Sequence, residues 1–128
     1  EMLYDSPNYA FGSLGFRSAI EGERALGHHN SVHGWVGGDM QRAHSPNDPT
    51  FYLVHANVDR AWSAWQQSHG QNTYAPTAGE SADYFRHRLG DPMFTLFNHG
   101  FDITPEQMFD HSAFYDYDDI QDLNPLIA

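Results

Sequence analysis

The sequence contains no cysteine. That excludes disulfides, zinc ribbons, blue-copper sites, iron–sulfur clusters and thiol catalysis. It leaves the redox compartment open, because disulfide use cannot report on it. Lysine is absent too. All six basic residues are arginines, set against seventeen Asp and Glu, for a net charge of −11. A chain this acidic is a poor polyanion binder, which argues against nucleic acid and anionic membrane surfaces as partners. No apolar run approaches the ~18 residues of a membrane-spanning helix. Strand signals are weak, and there is no internal repeat or low-complexity tract. The first residue is Glu1 and no signal peptide is visible; one removed in processing would leave no trace, so the chain is read as a fragment or processed product and no compartment is assigned.

What is present is 128 residues, 40% hydrophobic and 15% aromatic. This suffices for one domain or part of one, with a core. Residues 1–14 read as irregular. A short helix is predicted over 15–23, with Phe16, Ala19 and Ile20 on one side, broken by Gly27. A second is predicted over 28–36, ended by Gly37-Gly38, and a loop over 39–47. Asp48 as N-cap and Pro49 in the first turn open the strongest helix. Phe51, Val54, His55, Val58, Ala61, Trp62 and Trp65 follow its period, and Gly70 ends it. A loop over 71–79, a short helix over 81–89 and another from Thr104-Pro105 to about Asp110 complete the reading. Residues 102–122 hold seven of the acids together with Phe109, Phe114, Tyr115 and Tyr117, a surface segment anchored by aromatics. The fold class is mainly α, with long irregular loops.

Nine histidines in a chain without cysteine point to imidazole chemistry. His29 and His33 are four apart, so a helix places them on one face about 6 Å apart in rise, where they can share one ion. His55 falls on the apolar side of the long helix, where an imidazole needs a partner. A metal ion held by three histidines from two helices meets that need. Imidazole-only ligation suits copper, zinc or iron and disfavours calcium and magnesium. Taken singly, the His pair also fits a surface coincidence and His55 a satisfied core histidine. His28 points less well toward His33, and His44, His69, His87, His99 and His111 read as surface or packing residues.

Longer motifs surround these histidines. They are His29-Asn30-x-x-His33, then Trp35-Val36-Gly37-Gly38-Asp39-Met40, then Ser45-Pro46-Asn47-Asp48-Pro49-x-Phe51-x-x-x-His55-Ala56-Asn57-Val58-Asp59-Arg60-x-Trp62. Together they resemble the second copper-binding half of tyrosinases, members of the type-3 copper proteins with catechol oxidases and hemocyanins. The likeness extends to Gly15-Phe16-Arg17 through Glu21-Gly22, to Thr104-Pro105 through Asp110-His111, and to Tyr115-x-Tyr117-Asp118. It is greatest to short bacterial members.

The resemblance implies a partial helical bundle, the CuB half of the family's four-helix bundle. His29, His33 and His55 would bind the second copper, CuB, and a CuA site would be held by three further histidines. The implied reaction is oxidation of phenols or catechols to o-quinones with dioxygen. Glu21 and Asn30 would hold a water that deprotonates the phenol. Ala43 would lie at the mouth of the site and leave it open, Phe51 would pack beside the copper, and Asp59 would orient a ligand or a neighbouring Arg.

Three departures accompany the likeness. Residues 1–128 contain no CuA motif, so they are expected to form the C-terminal, CuB-containing part of a copper-binding domain. The CuA half would come from another segment or chain, or a second copy would pair two CuB triads. Val54 stands where many relatives carry a second His, which favours catechol over phenol oxidation. With no cysteine, the thioether link of many eukaryotic relatives is impossible, as in bacterial members. A missing half would also leave one face of the helix bearing Phe51, His55 and Trp62 without its cover, giving exposed apolar surface or a partner that covers it. The competing readings are a non-catalytic metal-binding or oxygen-carrying relative, and an interaction module that keeps its histidines as a relic.

Overall fold

The structure is a computed structural model and describes residues 15–21, 28–70, 74, 88–93 and 103–118. The expectations for residues 1–14, Gly27, 71–73, 75–80 and 81–87, and those for His87 and His99, lie outside the described residues. The chain divides into two compact units, Glu1–Thr73 with Asp119–Ala128, and Tyr74–Asp118. The described residues form helices and 3-10 turns and contain no strand. The chain is mainly α, as its patterning predicts.

In the first unit α1 spans Phe16–Glu21, α2 spans His28–Val36 and α3 spans Thr50–His69. Phe16, Ala19 and Ile20 are the buried side of α1, the side the sequence picks out. Phe16 and Ile20 join Ala61 and Trp65 of α3 in the core, with Val58 and Trp62 packed against it. The Phe16 and Trp65 rings stack with centroids 5.0 Å apart. An offset aromatic pair of this kind adds to plain area burial. The core thus clamps α1 to the C-terminal half of α3.

The start of α3 differs from the sequence reading. Pro49 has helical dihedrals and precedes Thr50, the first helical residue. The Asp48 carboxylate still works there: it accepts from the Thr50 amide at 2.9 Å. An Asp reaching two residues forward satisfies an amide that the first turn leaves unpaired. Gly70 ends the helix with φ 90°, a conformation that favours glycine.

The segment after α2 is not a plain loop. A 3-10 turn at Gly38–Gln41 is followed by another at Ser45–Asn47. Gly37, at φ 74° and ψ −161°, introduces the first. That backbone region is essentially closed to residues with a Cβ. Its effect is to fold Met40, 1% exposed, back beneath α2.

In the second unit the helix expected from Thr104 is a single 3-10 turn, Pro105–Met108. Thr104 and Gln107 close a reciprocal capping box around it, and the Glu106 amide donates to the Leu89 carbonyl at 3.1 Å. A second short turn, His111–Ala113, is capped by Asp110. The turn at Thr104 forms as the sequence implies, but no helix follows, because one turn of chain earns too few hydrogen bonds to propagate. His111 lies against Tyr115 and Tyr117, its ring 5.1 Å from the first and nearly parallel.

Candidate metal centre

α2 brings His29 and His33 to one face, and α3 brings His55 opposite. The rings meet edge to face, with centroids 4.6 Å apart for His29 and His33, 4.9 Å for His29 and His55, and 5.4 Å for His33 and His55. One nitrogen from each lies within 4.8 Å of the others. A first-row ion forms bonds of about 2 Å to imidazole nitrogen, so one ion can engage all three after small ring rotations.

The outer nitrogens set the polarity of the cluster. His29 Nδ1 faces the Glu21 carboxylate at 3.1 Å. His33 Nδ1 faces the Met40 carbonyl. His55 Nδ1 faces the Phe51 carbonyl at 2.8 Å. A carbonyl or a carboxylate accepts and does not donate, so each Nδ1 is the donor and carries the proton. Each Nε2 then presents a lone pair inward. His29 Nε2 and His55 Nε2 approach to 3.0 Å. Two lone pairs at that distance repel unless a positive charge, an extra proton or a metal ion, lies between them. His33 Nε2 is buried with no hydrogen-bond partner among the described residues, which costs roughly 1–3 kcal/mol when left unmet. A bound cation answers both features. The donor set is all imidazole nitrogen, which suits copper, zinc, iron or nickel; copper fits it.

Burial pushes the His29 imidazole below the ordinary histidine value. The Glu21 carboxylate opposes that shift, and the neighbouring His55 and His33 add to it. Its neutral form, the one that binds metal, is therefore favoured. Phe51 covers the His55 ring at 3.8 Å between centroids, so it packs beside the cluster as its position one turn earlier implies.

The remaining candidate residues lie as follows. Asn30 is exposed on α2, next to His29, and Glu21 is the last residue of α1. Ala43 is exposed between the two 3-10 turns, and Asp59 is half-buried on α3. His28 is exposed and stands outside the cluster. His44 pairs with Asp39 at 3.1 Å on the surface. His69 stacks on Trp65 and donates to its carbonyl. Sequence reasoning missed the roles of Met40 and of the Phe51 carbonyl. Both act through the main chain, where residue type carries no signal; the Gly37-Gly38 pair, forcing a return toward α2, was the available hint.

Trp35, Leu53 and Tyr52 in this unit are 86%, 74% and 63% exposed. This apolar surface lies on α2 and on residues 52–53 of α3, not on the face of α3 that a missing half was expected to uncover. The Phe51, His55 and Trp62 side is itself partly covered.

The tyrosinase family, defined by the common central domain of tyrosinase, matches residues 2–68. The chain is similar to the tyrosinase of Streptomyces glaucescens, 43% identical over 115 residues, 90% of this chain and 39% of that protein. It is similar to the grixazone synthase of Streptomyces griseus, 36% identical over 131 residues, 91% of this chain and 40% of that protein. It also resembles Hemocyanin 2 of Megathura crenulata, 45% identical over 69 residues, which is 50% of this chain and 2% of that protein. The chain therefore spans about two fifths of the length of its Streptomyces relatives. A match to the common central domain that runs over more than half of the chain, and carries all three clustered histidines within it, shows that the chain belongs to the tyrosinase family.

Proposed function

We propose that this chain supplies the CuB site of a copper-dependent oxidase that converts phenols or catechols to o-quinones. The observation that carries the reading is the convergence of three imidazole nitrogens whose outer nitrogens are all tied to acceptors. His29, His33 and His55 hold the ion. Copper, when bound, would supply the redox couple that passes electrons from the substrate to dioxygen; with a catechol both oxygen atoms would end as water, and with a phenol one would enter the quinone and the other would end as water. The chain's own residues set the stage for that chemistry. The Met40 and Phe51 carbonyls and the Glu21 carboxylate fix the rings. Phe51 keeps solvent from one side of His55. Glu21, in contact with His29, and Asn30, the next residue on α2, supply polar atoms for a water that takes the phenol proton.

The CuA site belongs to a segment or chain beyond these residues in this reading, or a second copy supplies a facing triad. Relatives named tyrosinase and grixazone synthase favour an oxidase over a non-catalytic or oxygen-carrying role, and the small, exposed Ala43 offers no cover for the site. The test is oxidation of catechol by the copper-loaded chain assembled with its CuA-bearing complement, followed by quinone absorbance and oxygen uptake. The expected outcome is turnover that His55→Ala reduces by at least about 100-fold. Turnover unchanged in that variant rejects the site, and copper binding without any turnover favours the non-catalytic reading.

A further inference from the structure

We propose that Glu21 is a positioning residue for the metal ligand His29: its carboxylate holds the Nδ1 proton and so directs the Nε2 lone pair to the ion. The inference rests on reading His29, His33 and His55 as the ligands. It goes beyond that reading by ranking them. His33 and His55 lean on neutral main-chain carbonyls. Among the three, only His29 leans on an anion, Glu21 Oε2 at 3.1 Å. An anionic acceptor draws the Nδ1 proton more strongly, and that raises electron density at Nε2. His29 is thereby the strongest donor of the set.

The fold builds this contact from a distance. Glu21 ends α1, and α1 is held by Phe16 and Ile20 in the cluster with Ala61 and Trp65 of α3. The helix that carries His55 therefore also anchors the helix that carries Glu21. The side chains of His29 and Glu21 are 18% and 44% exposed. A pair this open to water adds little to stability. Its consequence is the tautomer and donor strength of His29. Oε1 of Glu21 makes no hydrogen bond among the described residues, so holding a substrate-side water would use a different atom of the same carboxylate. The two roles give different results when the charge is removed.

The experiment titrates copper(I) anaerobically into the wild-type chain, Glu21→Gln, Glu21→Ala and His55→Ala, in competition with a chromophoric copper(I) chelator. Long-range 1H–15N spectra of the imidazoles are recorded on the same diamagnetic samples. Gln keeps the shape and an acceptor oxygen but not the charge. We expect copper(I) affinity to fall about 10-fold in Glu21→Gln and about 100-fold in Glu21→Ala, the span usual for loss of a ligand's outer partner. The His29 Nδ1 proton should move upfield in Glu21→Gln while those of His33 and His55 stay in place. Wild-type spectra alone provide a check that needs no variant to fold: His29 must carry its proton on Nδ1. A proton on Nε2 overturns the proposal. So do wild-type affinity and an unmoved His29 signal in Glu21→Gln, with only phenol oxidation lost, which is the signature of a water-holding role alone. Absence of copper(I) binding by the wild type, or equal binding by His55→Ala, removes the ligand reading and the proposal with it. That failure is told apart from the others by the wild-type and His55→Ala titrations.

Discussion

At the scale of the residue, what lies behind the three clustered histidines suits them to hold an ion. An imidazole becomes useful to a metal only when its other nitrogen is settled, and here one carboxylate and two carbonyls settle all three. The pH consequence follows for His29. Burial, the largest cause, holds its folded value below 6.5. In the window between that lowered value and 6.5 the unfolded chain binds more protons than the folded one. The stability tied to neutral His29 is therefore full above the window and is lost as pH falls through it. An NMR titration of the metal-free chain should give a His29 ring midpoint below 6.5; a midpoint above 6.5 would mean that Glu21 outweighs burial. The sequence made the cluster legible, because His29 and His33 have helical spacing and His55 falls on the apolar side of the long helix. It could not show their acceptors, since any residue type offers the same carbonyl as Met40 or Phe51.

At the scale of the element, α2 and α3 are held in different ways. α3 is twenty residues long and buries Ala61, Ser63, Ala64, Trp65 and Gln66. Its period, its acidic residue before the first turn and its terminal glycine were all readable, because long amphipathic helices write their pattern many times over. α2 is nine residues long and has no buried residue. A helix so short is marginal on its own, and the ring contacts given between α2 and α3 are made by His29 and His33. Metal binding should therefore stabilise α2 more than α3. Hydrogen exchange is expected to slow at the amides of α2 by about 10-fold or more on copper(I) loading, with those near Trp65 little changed. Equal slowing in both helices, or none, would show that α2 is held by other contacts. The weakest sequence readings were the short ones: the 39–47 loop holds two 3-10 turns, and the helix from Thr104 stops after one. Single turns depend on one cap or one glycine, and periodicity has nothing to repeat there.

At the scale of the whole molecule, the charge of −11 acts on whatever approaches. In the oxidase reading, a catechol carrying an ammonium group should show a lower KM than one carrying a carboxylate. The gap should narrow as salt shortens the reach of the field to about 8 Å at physiological strength. A gap that ignores salt would place the discrimination in a direct contact. Trp35, Tyr52 and Leu53 add an apolar face to this acidic surface, consistent with a family domain of which this chain spans about two fifths of the relatives' length. No described helix is long and apolar enough to cross a membrane.

All three scales meet in one claim, that His29, His33 and His55 together hold a single ion. Native mass spectrometry of the copper-reconstituted chain, beside its His55→Ala variant, tests it most directly. We expect one copper ion on each wild-type chain and its loss from the variant under the same conditions. A wild-type chain that retains no copper, or a variant that retains as much as the wild type, would contradict the claim.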